Sequence, residues 1–312
     1  MAGHSDLSIF VNAPPDRVWR TANDIEAWPH LFDGEYAAAE VLHRDTDRLR
    51  FRLTTAPRDG KTYSWVSERY LDPEAGTVVA RRVDPGPFHY MHIFQSFRPL
   101  DGGTVLRWVQ DFEARPDAPF TDEQLQARLI SAGTHNLTRH KQIIEQQEGT
   151  AGPGEVRSAQ APAGHVDVRV AARAPLEQVW AVANDRTAWA HAGHPVRTPF
   201  DFGDESRFNV TTPPDPHGRS WSFQVHRIRD DERKTVFSRR YDTPDFVYST
   251  QWFGYQEVGE HTEMRCVADF EMSPAAALDT TEMTGIMTAA MSANMTQVAR
   301  SAESAGRVEV TR

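Results

Sequence analysis

Short segments in which polar and apolar side chains alternate recur along the chain and predict β-strands. In residues 63–70, YSWVSERY, the alternation places Tyr63, Trp65, Ser67 and Arg69 on one face of a strand. That face combines aromatic rings, a hydroxyl and a cation, and a cation is costly to remove from water. The strand therefore predicts either a buried ion pair or a functional site.

A different spacing appears in residues 121–147, where apolar side chains recur every three or four positions and predict one long helix. TDEQ at 121–124 fits a capping box at its start. The apolar stripe, which runs from Leu125 to His140, is interrupted by Gly133 and Asn136, and we expect these residues to leave room for a ligand. Several strands followed by a long helix predict an α+β fold, in which a curved antiparallel sheet wraps around the helix and encloses a cavity.

The same pattern occurs twice in the chain. APPDRVW at 13–19 is repeated as APLEQVW at 174–180, and further along Arg69 corresponds to Arg227, 158 positions later. Residues rich in Gly, Ala and Pro lie between the two copies. We therefore predict a first domain at 1–148, a linker at 149–164 and a diverged second domain at 165–306.

Composition narrows the class of protein. The 312 residues are 39% hydrophobic and 25% charged, which is typical of a soluble protein with two domains. A net charge of −10 argues against nucleic acid as the main partner, and the pairs Arg81-Arg82 and Arg239-Arg240 are expected to be solvated at strand ends. The chain has no long apolar run and no secretory signal pattern, so we expect no membrane span and a cytoplasmic location. A single cysteine predicts no disulfide and no zinc site.

Five segments, taken in order, resemble a known family: NDIEAWP at 23–29, EYAAAEVL at 35–42, WVSER at 65–69, GPFHYM at 86–91 and RWVQDF at 107–112. They are similar to the aromatase/cyclases of bacterial type II polyketide synthases, whose fold is the START/Bet v 1-like helix grip. The resemblance is close over 1–148, where it is to single-domain tetracenomycin-type enzymes, and looser over 165–303. The tandem arrangement resembles the di-domain subclass.

The resemblance implies an enzyme that folds a carrier-protein-bound, C9-reduced poly-β-ketone, closes the first ring between C7 and C12 by an aldol reaction, and dehydrates it to an aromatic ring. It implies lyase-type chemistry without a metal or redox cofactor. The implied partners are an acyl carrier protein, a ketoreductase and the minimal synthase, with no nucleic acid and no membrane. The alternatives are a non-catalytic carrier or polyketide chaperone with the same fold, or an interaction scaffold, because a cavity can bind without chemistry.

Three residues are the candidates for catalysis. Arg69 carries a permanent charge and can donate two hydrogen bonds to an enolate, unless an internal carboxylate pairs with it. Tyr36 could protonate an alkoxide, or it could donate to a backbone carbonyl. Ser67 could position a carbonyl or a water, because it has no paired histidine to make it a nucleophile. His89 is the runner-up for a base.

The expected walls of the first pocket are also open to a core-packing interpretation: Trp28, Phe32, Tyr63, Trp65, Met91, Gln95, Trp108 and Asn136. Single-domain relatives tend to carry a bulky aromatic residue at Gln95, so the register of ring closure stays open there. The expected second pocket consists of Phe223, Arg227, Gln251 and Asn294. Because Val225 replaces Ser67 and Cys266 replaces Trp108 in the second copy, we expect the first domain to hold the main site. The second would then assist dehydration or be structural.

Overall fold

The computed structural model describes residues 3–32, 34–57, 60–84, 86–159, 163–185, 196–202, 205–212, 214, 218–241 and 243–309. The chain divides into two compact units, Met1–Pro162 and Ala163–Arg312. Each unit contains an antiparallel sheet followed by one long helix, and in the first unit a two-residue strand follows the helix. The predicted α+β class, with two tandem copies of one architecture, is confirmed.

The elements of the first unit are β1 (Gly3–Val11), α1 (Pro15–Asn23), a 3₁₀ turn (Ile25–Ala27), α2 (Trp28–Leu31), β2 (Tyr36–Arg44), β3 (Arg48–Thr55), β4 (Ser64–Asp72), β5 (Thr77–Arg82), β6 (Phe88–Leu100), β7 (Gly103–Ala114), α3 (Asp122–Glu148) and β8 (Arg157–Ser158). The strand order is β2-β3-β4-β5-β6-β7-β1-β8. Consecutive strands from β2 to β7 are neighbours, and β1 joins the edge formed by β7.

Local chemistry sets both ends of α3. The Thr121 hydroxyl accepts a hydrogen bond from the Gln124 N–H at 3.3 Å, and the Gln124 side chain accepts one from the Thr121 N–H at 3.0 Å. This is the predicted capping box, which satisfies two amides that have no partner inside the helix. At the other end, Gly149 takes the left-handed conformation with φ 68°, which a residue without Cβ adopts at little cost.

Gly133 lets α3 approach β1 closely. A Cβ built at Gly133 would lie 2.7 Å from Cδ1 of Leu7, a distance too short for two carbon atoms. The expectation that this glycine leaves room for a ligand is therefore wrong, because the side chain of Leu7 occupies the space. The glycine instead sets the distance between the helix and the sheet.

The first half of the predicted linker packs on the first unit. The Thr150 hydroxyl donates to the Asn12 carbonyl at 2.5 Å, and the Gly152 N–H donates to Glu145 at 3.2 Å. Farther along, β8 pairs with β1 and extends the sheet. Residues 150–159 thus add to the first unit rather than crossing open solvent.

The outer face of the first sheet carries a buried carboxylate. Glu68 is 1% exposed and contacts Arg81 at 2.8 Å, Arg48 at 3.0 Å and Arg50 at 3.7 Å. Burial opposes its ionisation, but these arginines hold the pKa of Glu68 below its ordinary value. Arg81 is therefore paired beneath the surface, and the expectation of a solvated arginine there is wrong.

The second unit repeats this order of elements: β9 (Gly164–Ala172), α4 (Leu176–Asn184), β10 (Val196–Phe202), β11 (Glu205–Thr211), β12 (Ser222–Asp230), β13 (Thr235–Tyr241), β14 (Phe246–Val258), β15 (His261–Met272) and α5 (Thr280–Glu309). Its strand order is β10-β11-β12-β13-β14-β15-β9. The repeat seen in the sequence is thus a repeat of topology.

Candidate functional site

The inner face of the first sheet carries the predicted functional residues of β4. Ser67 and Arg69 are both buried, with 4% and 2% of their surface exposed. The strand register sets Ser67 opposite Phe51 on one side and opposite Arg82 on the other. Arg69, Arg82 and the hydroxyl of Ser67 therefore share this face.

Arg69 is held by neutral groups. Its Nη1 donates to Oδ1 of Asn23 at 2.9 Å and to the carbonyl of Ala22 at 3.3 Å. Its guanidinium carbon lies 4.6 Å from the ring centroid of Trp28. No carboxylate among the described residues pairs with it. Burial lowers the pKa of Arg69 to about 9, which leaves it protonated at neutral pH. The cation is available to an anionic or carbonyl oxygen.

Four aromatic residues of the predicted pocket lie together. The ring of Trp28 is 5.4 Å from Phe32 and 6.0 Å from Tyr36, and Tyr36 is 6.3 Å from Trp65. These rings come from α2 and the residue that follows it, from β2 and from β4. The structure therefore brings distant segments of the sequence into one aromatic cluster beside Arg69.

Tyr36 keeps its proton in this cluster. Burial, aided by Glu35, raises the pKa of Tyr36 well above its ordinary value, although Arg82, Asn136 and Arg69 act against this rise. At neutral pH, Tyr36 is thus a neutral O–H group beside two cations, as a proton donor to an alkoxide would be.

Three of the expected wall residues lie outside the aromatic cluster: Tyr63, Met91 and Trp108. Tyr63 is 55% exposed because β4 begins only at Ser64, so the alternation does not extend to it. Its expected place in the pocket wall is wrong. Met91 packs with Phe88, Phe112 and Leu125, and Trp108 packs in a cluster around β1 and α3. Both face the helix, but apart from the aromatic cluster.

Arg82 is a functional candidate that the sequence interpretation missed. Its guanidinium carbon lies 4.2 Å from the Trp65 ring centroid and 5.0 Å from that of Phe88, and burial lowers its pKa to about 10. Its Nε has no hydrogen-bond partner in the described part of the chain. The alternation of side chains along β5 could have identified Arg82. When two arginines are adjacent in a strand, one of them must point to the inner face of the sheet.

His140 is the second missed candidate. Its Nδ1 lies 3.1 Å from the Asn136 carbonyl, which can only accept, so Nδ1 carries the proton and Nε2 has a free lone pair. Burial lowers the pKa of His140 to about 4, the hydrogen bond to Asn136 opposes this, and the charge of Arg69 adds to it. The ring lies 4.7 Å from that of Phe32. The structure therefore places a neutral base in the aromatic cluster, while the role of His89 stays a prediction.

Buried polar atoms without partners surround α3. Buried groups of this kind are normally hydrogen-bonded, since an unpaired one costs about 1–3 kcal/mol. Within the described residues, six such atoms lie on the inner face of the first sheet or on the facing side of the helix: Ser5 Oγ, Arg82 Nε, Gln95 Oε1, Trp108 Nε1, Asn136 Oδ1 and His140 Nε2. Two donate, three accept and Ser5 can do either, so the set suits a ligand with several oxygen atoms.

A cleft lies beside one of the residues in this set, Ser5. It has a volume of about 380 Å³ and lies between β1, β8 and the first turns of α3. Its lining consists of His4, Ser5, Asp6, Gln126, Ile130, Ser158 and Ala159. A segment of the predicted linker thus forms one wall of the cleft.

The second unit keeps the arginine framework of the first. Nη2 of Arg227 donates to Oδ1 of Asn184 at 2.6 Å, as Arg69 does to Asn23. Phe223 is buried, Gln251 is half-buried and Asn294 is exposed. The roles of these residues in a second pocket stay predictions.

Two properties of the described residues bear on other classes of site. No group of three or more His, Cys, Asp or Glu side chains in the described ranges is placed to hold a metal ion. None of the helices in these ranges combines the length and the apolar character that a membrane span requires.

Residues 3–142 match the family described as polyketide cyclase/dehydrase and lipid transport. A candidate polyketide cyclase of Streptomyces cyaneus is 50% identical over 123 residues, which are 39% of this chain and 80% of that protein. Another, from Streptomyces halstedii, is 49% identical over 110 residues, which are 35% of this chain and all of that protein. The chain belongs to this polyketide cyclase family. Among solved structures, the di-domain ARO/CYC BexL covers 97% of this chain and 98% of its own, with 18% identity and a TM-score of 0.40.

Proposed function

We propose that the first unit is the active site of a type II polyketide aromatase/cyclase. It binds a carrier-protein-tethered, C9-reduced poly-β-ketone, joins C7 to C12 by an aldol reaction, and dehydrates the new ring. The set of partnerless buried polar atoms supports this proposal most strongly. A poly-β-ketone has a carbonyl at every second carbon, so its ketones accept from Arg82 and Trp108. Its enol hydroxyls donate to Gln95, Asn136 and His140.

The first step is removal of a proton from a methylene between two carbonyls. His140 Nε2 takes this proton, and Arg69 stabilises the enolate that forms, for which one well-placed donor supplies roughly 2.7–4 kcal/mol. His140 is a weak base because burial lowers its pKa to about 4. This suits a carbon acid activated by two carbonyls and by the Arg69 cation.

Carbon–carbon bond formation and dehydration follow. The enolate carbon attacks the carbonyl carbon of the second ketone. The oxygen of that ketone becomes an alkoxide, which takes a proton from Tyr36. The Tyr36 phenolate then takes a further α-proton, and protonated His140 gives its proton to the new hydroxyl, which leaves as water. This forms the double bond and restores both residues. Ser67, which lies opposite Arg82 in the sheet, positions the ketone with its hydroxyl. The aromatic cluster bends the chain and excludes water, and orientation of this kind can supply about 7–11 kcal/mol.

The first unit carries the main reaction. In the second copy Val225 replaces Ser67, Cys266 replaces Trp108 and Val298 replaces His140. A pocket without the base and without the positioning hydroxyl has lost two groups that the cyclisation uses. Arg227 is then a framework residue, held by Asn184 in the same way as its counterpart.

Reconstitution tests this proposal. The minimal synthase, its carrier protein and a ketoreductase are combined with wild type, with Arg69→Ala, with Arg227→Ala, or with no added protein, and the ring pattern of the product is determined. We expect the C7–C12 aromatic product with wild type and with Arg227→Ala only. Equal product from Arg69→Ala would remove this arginine from the chemistry, and an unchanged product without the protein would end the enzyme proposal.

The alternative function is a carrier or chaperone. The family description also includes lipid transport, which is consistent with this alternative. A carrier would alter the yield of product without altering its ring pattern. The same reconstitution therefore separates the two functions.

A further inference from the structure

Methionine sulfur is concentrated in the hydrophobic core of the second unit. The chain has 8 methionines, and six of them belong to one core cluster of this unit: Met264, Met272, Met283, Met287, Met291 and Met295. Four of the six recur at every fourth position of α5 and so form a stripe along one side of the helix. This stripe faces β9 and β15.

The sulfur wall is neutral. Sγ of Cys266 lies 3.4 Å from Sδ of Met291. Burial raises the pKa of the Cys266 thiol, so it stays protonated and is a poor nucleophile. Methionine is flexible and polarisable, and its sulfur makes favourable contacts with aromatic rings. The wall is therefore suited to contact an aromatic ring and cannot supply a base.

Polar positions of the first interior have become apolar in the second. The pair Phe253 and Cys266 occupies the same place in the sheet as Gln95 and Trp108. The same comparison along the repeat sets Val166 at the position of Ser5 and Val298 at that of His140. The proton acceptor and most of the polar atoms without partners are thus absent at these positions.

Two polar groups nevertheless face this interior without partners. The Arg240 guanidinium carbon lies 4.5 Å from the Phe223 ring centroid and 5.7 Å from that of Phe246, and it has no hydrogen bond or ion pair with the described residues. Ser249 is 2% exposed, and its Oγ has no partner among those residues either. Arg239 pairs with Thr250 across β13 and β14, which sets Arg240 beside Ser249.

We propose that the second unit binds, without transforming it, a flat aromatic molecule that carries a phenolic oxygen. The ring lies on the methionine stripe, and the oxygen accepts from Arg240 and exchanges a hydrogen bond with Ser249. Leaving the buried Ser249 hydroxyl unpaired is costly, and the phenolic oxygen gives it a partner while also accepting from the half-buried Arg240. This site needs nothing from the reaction proposed for the first unit.

The methionines provide the assay. The full-length protein is labelled with ¹³C at the methionine methyl groups and titrated with 2-naphthol, with peaks assigned by single Met→Leu variants. We expect ring-current shifts that saturate at Met287, Met291 and Met295. Met91 reports separately on the first unit, so the two interiors are distinguished in one experiment.

Matched ligands and variants test each contact. Naphthalene lacks the oxygen and loses both hydrogen bonds, so it should bind about 10²-fold more weakly. The saturated alcohol 2-decalol should bind more weakly without ring-current shifts. Ser249→Ala and Arg240→Leu should each weaken 2-naphthol binding about tenfold, whereas the counterpart Arg82→Leu should leave the shifts in the second unit unchanged.

Three results would overturn this site: no shift at the α5 methionines, equal binding of naphthalene and 2-naphthol, or no effect of Ser249→Ala. If Arg240→Leu loses the spectral dispersion of a folded unit, Ser249→Ala still decides the question. Each result is independent of the reconstitution, because cyclisation in the first unit does not require ligand binding in the second.

Discussion

His140 provides the sharpest test of the electrostatics inside the first unit. The imidazole is 2% exposed, and its Nδ1–H is committed to the Asn136 carbonyl. An ordinary histidine gains a proton near pH 6.5, but burial lowers the pKa of His140 to about 4. The variant His140→Leu replaces the imidazole with an apolar side chain of similar size, which has no proton to gain or lose.

The magnitude follows from the two pKa values. Above pH 6.5 the residue is neutral in both the folded and the unfolded chain and contributes no pH dependence. As the pH falls, only the unfolded chain takes up the proton, so the folded state loses stability. The loss is about 2 kcal/mol at pH 5 and approaches about 3 kcal/mol below pH 4.

Two measurements check this expectation. Urea unfolding of wild type and His140→Leu at pH 7.5 and pH 5 should show that wild type loses about 2 kcal/mol more than the variant. Acidic groups titrate in both proteins, so their contribution to the loss of stability cancels when the two proteins are compared. In parallel, ¹³C NMR of the 13 histidines should show that one ring, absent from the variant, does not titrate between pH 7.5 and pH 5.

A normal titration of His140 near pH 6.5, or equal acid sensitivity of the two proteins, would show that water reaches the ring. The residue would then be a cation through part of the physiological range, and its role as the neutral base would be lost. If the reasoning holds, His140→Leu should also reduce the single-turnover rate about 10²-fold or more at pH 7.5, since a positioned base contributes roughly that much.

The other predictions concern a proton donor, an ion cluster and two glycines. Tyr36→Phe keeps the ring contacts and loses the O–H, so the single-turnover rate should fall about 10²-fold, and an unchanged rate would assign the proton to another group. Glu68→Gln leaves its arginines without a counter-charge and should cost about 3 kcal/mol in urea unfolding, whereas a cost below about 1 kcal/mol would mean that the cluster is solvated. Gly133→Ala should destabilise, because its Cβ would lie 2.7 Å from a Leu7 methyl, while Gly285→Ala, with nothing within 4 Å, should stabilise by up to about 1 kcal/mol. Equal effects of the two glycine variants would contradict the close contact.

Local patterns in the sequence were sufficient for the fold. The capping box at Thr121, the alternation along β4 and the repeat that pairs Arg69 with Arg227 each depend on neighbouring residues or on a copied segment, and each is present as expected. The same alternation correctly set Ser67 and Arg69 on one face. It failed at Tyr63, because periodicity does not show where a strand begins.

The tertiary structure alone decided which buried polar groups have partners. Arg81 and Arg82 are adjacent in sequence, yet Arg81 pairs with Glu68 and Arg82 stacks on Trp65 without an ion pair to any described residue. Successive side chains of a strand point to opposite faces of the sheet. His140 belongs to a helical stripe like any core residue. Its free Nε2 became evident only when the partners supplied by other elements could be counted.

The sequence by itself thus determined the class of fold, its duplication and the inward face that carries Arg69. Local periodicity depends on neighbouring residues, and the duplication is visible as two similar segments of the sequence. What it could not determine is the state of Arg69, which has no carboxylate partner among the described residues and is held by Asn23 and the Ala22 carbonyl. Whether a buried charge is compensated depends on groups far away in the chain, and only the folded structure brings those groups together.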